Sequence, residues 1–131
     1  MKKFVIVMIF AFVAAFSVSI CSAYDYDSDS NYKFVTTQNG MWYLYLPSVD
    51  VQEYNPPHYQ IAGNFVGTDG YDRKRESIEI VRFNWYTKET FHKNKYGNWE
   101  KEEVSDDYHK RYPKLRANAL FRAAYGMNFY N

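Results

Sequence analysis

The residue types that most often catalyse reactions or bind metals are scattered along this chain of 131 residues. Its three histidines, His58, His92 and His109, lack the one-turn helical spacing that directs two imidazoles to one metal ion. The run Ser105-Asp106-Asp107-Tyr108-His109 contains the residue types of a hydrolase triad, but no glycine-framed nucleophile elbow surrounds Ser105. We therefore expect surface or strand-end histidines, and we predict a protein that is not an enzyme and uses no metal or cofactor.

Alternating carboxylates near the start of the chain resemble the beginning of a calcium loop. Asp25, Asp27 and Asp29 have the spacing with which such a loop directs oxygens at one ion. Ser30 stands where the loop needs glycine, and Thr36 stands where it needs a bidentate glutamate. A solvated acidic segment is the better interpretation.

A basic run, formed by Arg73, Lys74 and Arg75, is the best candidate for contact with a partner. It follows a glycine-punctuated stretch, so we expect it in an exposed loop beside an aromatic sheet. There it would meet an acidic protein segment, a glycan or an anionic surface, and a solvated loop tip without function is the alternative. Arg82 and Lys93 extend this patch only if the strand order brings them close to it.

Aromatic residues are frequent, at 21% of the chain, with 14 tyrosines and 3 tryptophans. A β-rich core with amphipathic strand faces explains them, because tyrosine packs its ring while its hydroxyl stays in water. An aromatic binding surface explains them as well, since Tyr and Trp are favoured at protein interfaces. The sequence leaves both interpretations open.

The first 23 residues have the organisation of an export signal. A short basic start that contains Lys2 and Lys3 precedes an apolar segment over residues 4–18, and Cys21-Ser22-Ala23 ends in the small residues that a signal peptidase accepts. The apolar segment is shorter than the ~20 residues that span a bilayer. We therefore expect cleavage before Tyr24 and an exported bacterial protein in the periplasm, at the cell surface or outside the cell.

Cys21 is the only cysteine of the chain, and a lipid attached to it is the alternative to its removal. A lipoprotein signal needs a small residue directly before the modified cysteine, whereas bulky Ile20 stands there. Removal of Cys21 is therefore favoured, and the domain then depends on its core for stability because it has no disulfide. Membrane association is expected only through the export signal or, in the less favoured alternative, through a lipid on Cys21.

Net charge bears on the class of partner. Removal of Lys2 and Lys3 with the signal leaves 14 basic and 15 acidic residues, a formal net charge of −1. Domains that bind nucleic acid usually show a clear basic excess. We therefore expect no nucleic-acid partner.

The stretch over residues 77–101 has the alternation that is typical of β-strands. Apolar and polar residues alternate from Val81 to Trp85, whereas Ile78 and Ile80 fall in the opposite phase. This change of phase predicts a bulge near Ile80 or a strand that is covered on both faces. Two polar turns further along complete a meander of three antiparallel strands.

Further strands are expected before this meander, and a helix after it. Strand patterns cover residues 41–46, 49–54 and 58–66, and the first two are separated by Pro47. Tyr112-Pro113 opens a helix that Gly126 ends, and at helical spacing Ala117, Leu120, Phe121 and Ala124 form an apolar stripe on one face. We predict an α+β fold, an antiparallel sheet of about six strands arranged as a meander with one C-terminal helix packed on it. The predicted organisation is a cleaved signal peptide over 1–23, an acidic flexible leader over 24–40 and a single domain over 41–131.

The order of these features resembles the family of small bacterial envelope domains typified by surface-adhesin protein E. The resemblance covers about residues 41–126 and depends on Trp42-Tyr43, Ser48-Val49, the runs 58–66 and 77–87, Tyr96-Gly97, and Tyr112-Pro113 before a closing helix. Tyr125-Gly126 stands where members often carry a cysteine. The resemblance implies a non-enzymatic exported module that binds a host or envelope protein or a glycan. The alternatives are a periplasmic domain that holds a small apolar ligand between sheet and helix, and a structural envelope protein.

Overall fold

The computed structural model describes residues 24–38, 40–68 and 74–131. The expected signal peptide, Cys21 and Arg73 lie outside these residues. Six antiparallel strands form one sheet, in which every strand pairs with its neighbours in sequence. They are followed by one α-helix, and the elements are β1 (Tyr32–Thr36), β2 (Trp42–Asn55), β3 (His58–Thr68), β4 (Lys74–Asn84), β5 (Glu89–Lys93), β6 (Trp99–Lys101) and α1 (Tyr112–Tyr125). The predicted α+β meander with a C-terminal helix packed on it is confirmed.

The folded domain begins earlier than the sequence predicts, because the expected flexible leader contains β1. A single 3-10 turn at Tyr26–Ser28 precedes β1, which pairs with β2. The side chain of Asp25 accepts a hydrogen bond from the backbone N–H of Asp27 at 3.1 Å. Tyr26 is buried against Tyr43, with the two ring centroids 5.1 Å apart. Asp25 organises the turn while Tyr26 is buried, so the 3-10 turn and β1 belong to the folded domain rather than to a flexible leader.

One long strand, β2, replaces two of the predicted strands. It continues through Pro47, and its register against β3 shifts in this region. The hydroxyl of Ser48 accepts a hydrogen bond from the backbone N–H of Asn64 at 2.8 Å and donates one to the carbonyl of Tyr45 at 2.6 Å. Since proline has no N–H to donate to the ladder, this hydroxyl supplies local hydrogen bonding where the regular pairing is interrupted. The prediction that Pro47 ends the strand is therefore wrong.

Helix α1 covers one face of the sheet. Its predicted apolar stripe is confirmed, because Ala117, Leu120 and Phe121 are buried. They pack against side chains that point inward from the strands, namely Val35, Leu44, Ile61, Phe65, Val81 and Phe83. Pro113 lies in the first turn of the helix, where its missing N–H removes no hydrogen bond. The helix ends at Gly126, whose φ of 76° is the left-handed conformation that glycine adopts without strain.

The segment after α1 returns to the sheet. Phe129 is buried, and the backbone N–H of Tyr130 donates to the side chain of Asn118 at 2.7 Å. The hydroxyl of Tyr130 lies 2.9 Å from that of Thr90 on β5. The Nζ atom of Lys88 donates to the carbonyl of Phe129 at 3.3 Å. These contacts join the C-terminal segment to the helix and to the β4–β5 region.

No α-helix of the described residues lies on the opposite face of the sheet, and we call it the open face. β4 pairs with β3 without a register shift, so the bulge predicted near Ile80 is absent from this described strand. Ile78 is 78% exposed and Ile80 is half-buried, so the alternative of a strand covered on both faces is also wrong. Since successive residues of a strand point to opposite faces, these isoleucines belong to the open face while Val81 and Phe83 face the helix.

Tyrosines cover the β1–β2 end of the open face. Tyr26 lies over Tyr43 and Val66, and Tyr32 packs at the edge of this cluster. Tyr43 donates a hydrogen bond to a carboxylate oxygen of Asp27 at 2.9 Å. Burial and this hydrogen bond raise the pKa of Tyr43 to about 12. The phenol is therefore held in its protonated form in the folded state.

This pKa predicts a loss of stability in strong alkali. An unfolded tyrosine releases its proton near pH 10, whereas Tyr43 in the folded protein keeps its proton to about pH 12. The unfolded state therefore binds fewer protons in this window, and the free energy of unfolding falls as pH rises through it. Urea unfolding at a series of pH values should show a smaller fall for Tyr43→Phe. Parallel curves for the two proteins would contradict the assignment.

Candidate functional site

The predicted basic run does not form one loop patch in the described structure. Lys74 and Arg75 are the first two residues of β4, so they point to opposite faces of the sheet. Lys74 pairs with Glu76 at 3.0 Å, and this hydrogen bond raises its pKa. Arg75 lines a hollow together with Tyr112 of the helix. The loop placement predicted for these two residues is wrong, and their role in partner contact stays a prediction.

Arg82 also lies on the open face but far from Lys74. Eight residues of β4 separate them, which is about 26 Å at the ~3.3 Å rise of a strand residue. Arg82 therefore does not extend a patch formed by Lys74. It instead belongs to a second group of side chains on β3, β4, β5 and β6.

The guanidinium of Arg82 is held in place by two neighbours. Its Cζ atom lies 4.0 Å from the ring centroid of Trp99, a cation–π arrangement. Its Nε atom donates to Gln60 at 2.8 Å, and Gln60 donates in turn to Gln52 at 2.6 Å. The two terminal nitrogens have no hydrogen-bond or ion-pair partner among the described residues. Arg82 thus presents two unused nitrogens from a fixed side chain.

Arg82 lines a pocket of about 390 Å³, which we call the Arg82 pocket. Its lining combines aromatic and polar residues, namely Glu53, His58, Tyr59, Arg82, Phe83, Asn84, Phe91 and Trp99. The register explains the assembly, because Gln60, Arg82 and Phe91 are direct cross-strand partners. A planar guanidinium with two free nitrogens suits the two oxygens of a carboxylate or phosphate. The aromatic side chains provide contact area for an attached apolar group.

A second group of charged side chains lies between the helix and the sheet. Arg116 of α1 is 7% exposed and contacts the carboxylates of Glu79, at 3.1 Å, and Glu102. Burial alone lowers the pKa of Arg116, but the two carboxylates outweigh it and raise this pKa. Tyr112 donates to Glu79 at 2.9 Å, and burial raises the pKa of its hydroxyl. Because the two carboxylates offset the charge of the buried guanidinium, we interpret the cluster as the charged part of the helix–sheet interface.

His92, Ser105 and His109 line one hollow of the described structure, and His58 lies apart from them. His92 lies 3.6 Å from Glu102 and 3.7 Å from Glu100, whereas His58 lines the Arg82 pocket. Ser105 accepts a hydrogen bond from the N–H of Asp107 at 3.0 Å, and Asp107 accepts one from the N–H of His109 at 3.2 Å. In the described part of the chain, no three His, Cys, Asp or Glu side chains are grouped for a metal ion.

A groove lies beside the edge strand β1, between it and α1. It has a volume of about 420 Å³. Apolar or small residues form much of its lining, namely Phe34, Val35, Leu46, Leu115, Ala119 and Ala123. Lys33, Arg122, Asn118 and Asn128 add polar groups at its borders. The centre of the helix–sheet interface, by contrast, is filled by fully buried side chains such as Leu44, Phe65 and Leu120.

Comparisons with protein-family models, with curated proteins and with solved structures found no match. The described residues contain no helix with the length and apolar character needed to cross a membrane. The Arg82 pocket and the groove beside β1 are therefore the candidate sites.

Sequence reasoning missed the Arg82 pocket because its residues come from five strands. The alternation around Arg82 places it on the face opposite Val81, which the sequence does indicate. Its meeting with Trp99 requires the β4–β5 and β5–β6 registers. No sequence motif spans these positions.

Proposed function

We propose that this protein is an exported bacterial binding module that recognises a carboxylate-bearing protein partner through the Arg82 pocket without catalysis. The observation that supports it is the guanidinium of Arg82, fixed by Trp99 and Gln60 with both terminal nitrogens unused. Arg, Trp and Tyr are the residues that dominate binding energy at protein interfaces. At this end of the sheet, Tyr54 is 67% exposed near the end of β2, and Tyr86 is 81% exposed in the turn between β4 and β5. They would enlarge the contact surface around the pocket.

The first test uses arrays of acidic peptides and of acidic glycans as probes. We expect Arg82→Ala to weaken binding to carboxylate-bearing peptides at least about tenfold, because a hydrogen bond to a charged group contributes about 1.5–3 kcal/mol. Arg82→Lys should restore only part of the affinity, since an ammonium keeps the charge but loses the planar fork. Peptides whose carboxylates are converted to methyl esters should bind the unchanged protein weakly. Their affinity should equal that of the acidic peptides for Arg82→Ala.

The matched control is Lys110→Ala, which removes one exposed positive charge away from the pocket. Its affinity should equal that of the unchanged protein. Equal binding of acids and esters, or full binding by Arg82→Ala, would refute the role of the pocket. Binding to acidic glycans but not to peptides would assign an acidic glycan, and not a protein, as the partner. A triple alanine variant of Arg73, Lys74 and Arg75 tests the basic run separately, and unchanged binding would remove it from the account.

The second candidate function is retention of a small apolar ligand. The groove beside β1 favours it, because about 420 Å³ lies within the range of small-molecule sites. Native mass spectrometry of protein purified from its host should then show an added mass that denaturation releases. A mass equal to that of the polypeptide alone would count against this function.

A further inference from the structure

The groove beside β1 has a charge pattern that specifies more than an apolar ligand. Lys33 projects from β1 and Arg122 from α1, and both line the groove. Both are exposed, and neither has a hydrogen-bond, ion-pair or ring-contact partner for its side chain among the described residues. No acidic side chain is found among the described residues that line the groove. The groove therefore combines an apolar floor with two unneutralised cations.

Polar groups at the groove complete this arrangement. The side-chain oxygen of Asn118 accepts a hydrogen bond from the backbone N–H of Tyr130 at 2.7 Å, so its amide nitrogen remains as a donor.

The floor of the groove has room for an apolar chain. Ala119 and Ala123 carry the smallest apolar side chains of this helix surface and leave the space open. Leu46 and Leu115 are half-buried, so an apolar chain lying over them would complete their removal from water.

An added β-strand is a poor occupant for this site. β1 has only five residues and its register shifts between Phe34 and Thr36. A short strand, a bulge and an exposed lysine are the features with which natural proteins prevent pairing at a sheet edge. An amphiphile needs none of the backbone groups of β1 and uses the floor and the two cations together.

We propose that the groove binds a single-chain fatty acid, with its chain over Leu46, Leu115 and Ala119 and its carboxylate near Lys33 and Arg122. This inference deepens the second candidate function and is independent of the Arg82 pocket. It names the chemistry of the ligand, a flexible apolar chain with one anionic head. The two cations then favour an anionic head group, and the apolar floor of the groove favours a hydrocarbon chain.

The test compares three probes that share an apolar chain of about twelve carbons, a ligand size typical of small-molecule sites. They are dodecanoate, dodecanol and dodecyltrimethylammonium, each kept below its micelle concentration. Titration by calorimetry gives the affinity, and the methyl signals of Ala119 and Ala123 in NMR spectra locate the site. We expect dodecanoate to bind and to shift both signals, dodecanol to bind at least about tenfold more weakly, and the cation to produce no shift.

Two kinds of variant test the cations and the apolar floor of the groove independently. Lys33→Glu with Arg122→Glu should weaken dodecanoate binding at least about tenfold and allow the cationic probe to bind. Ala119→Phe should abolish binding of dodecanoate and dodecanol, while Lys110→Glu, outside the groove, should change nothing. Equal affinities for the three heads, unchanged binding after charge reversal, or no binding of dodecanoate would each overturn the proposal. A ligand of another class in native mass spectrometry would refute the fatty acid while leaving the carrier function in place.

Discussion

Replacement of Arg116 by alanine is expected to lower the free energy of unfolding by about 3–5 kcal/mol. The guanidinium bridges Glu79 and Glu102 between the helix and the sheet, and the side chain of Glu102 is only 3% exposed. Its loss leaves two carboxylates without their cation in a largely water-free interface. Urea unfolding monitored by tryptophan fluorescence measures the change.

Two further variants show why Arg116 matters. Arg122→Ala removes an exposed arginine from the same helix and should change stability by less than about 0.5 kcal/mol. The triple variant Arg116→Met, Glu79→Leu and Glu102→Leu removes all the charges and should recover much of the loss, because an apolar replacement leaves no unpaired ion. An Arg116→Ala protein as stable as Arg122→Ala would show that the cluster is well hydrated. A triple variant no better than Arg116→Ala would assign the loss to packing.

The second large effect is expected from Phe121→Ala, which should cost about 3–5 kcal/mol. The ring of Phe121 is 2% exposed and lies within 5.5 Å, centroid to centroid, of the rings of Phe83, Trp85 and Phe129. Its truncation leaves a cavity where helix, sheet and C-terminal segment meet. Denaturant unfolding gives the loss of stability.

This variant should also loosen the C-terminal segment. Because Phe129 packs on Phe121, amide hydrogen exchange of Tyr130 should become faster than the change in global stability alone requires. Tyr96→Ala is the control, since this tyrosine is 76% exposed and its loss should have little effect on either measurement. A loss below about 1 kcal/mol for Phe121→Ala would mean that neighbouring rings refill the space.

The predicted and observed strands agree in number but not in identity. The sequence indicates six by dividing β2 at Pro47 and by omitting β1, and these two errors compensate. Proline has a known cost in a ladder, but the hydroxyl of Ser48 offsets it through contacts with β3 that no local pattern reveals. β1 is missed because the acidic stretch that leads into it, with its alternating aspartates and tyrosines, lacks the usual apolar signal. Tyr26 of this stretch is buried because the 3-10 turn folds over the sheet.

For the candidate sites too, local sequence patterns predict some features and tertiary contacts decide the others. Local alternation was enough to place Arg82 on the face opposite Val81, but the pocket needs cross-strand register to bring Trp99 to it. The basic run at Lys74 and Arg75 is conspicuous in sequence, yet its two described members are separated by the pleat of β4. Adjacency in sequence is therefore a weak guide to a shared surface within a strand.

The sequence by itself determined the fold class, the apolar face of α1 and the three-strand meander, because these depend on periodicities of 3.6 and 2 within short segments. Only the tertiary structure decided which side chains share a site. The Arg82 pocket depends on the register of five strands, and the groove beside β1 depends on where a helix more than seventy residues away crosses the sheet edge. Residues so far apart in the chain leave no local sequence pattern, because their contacts form only when distant segments pack together.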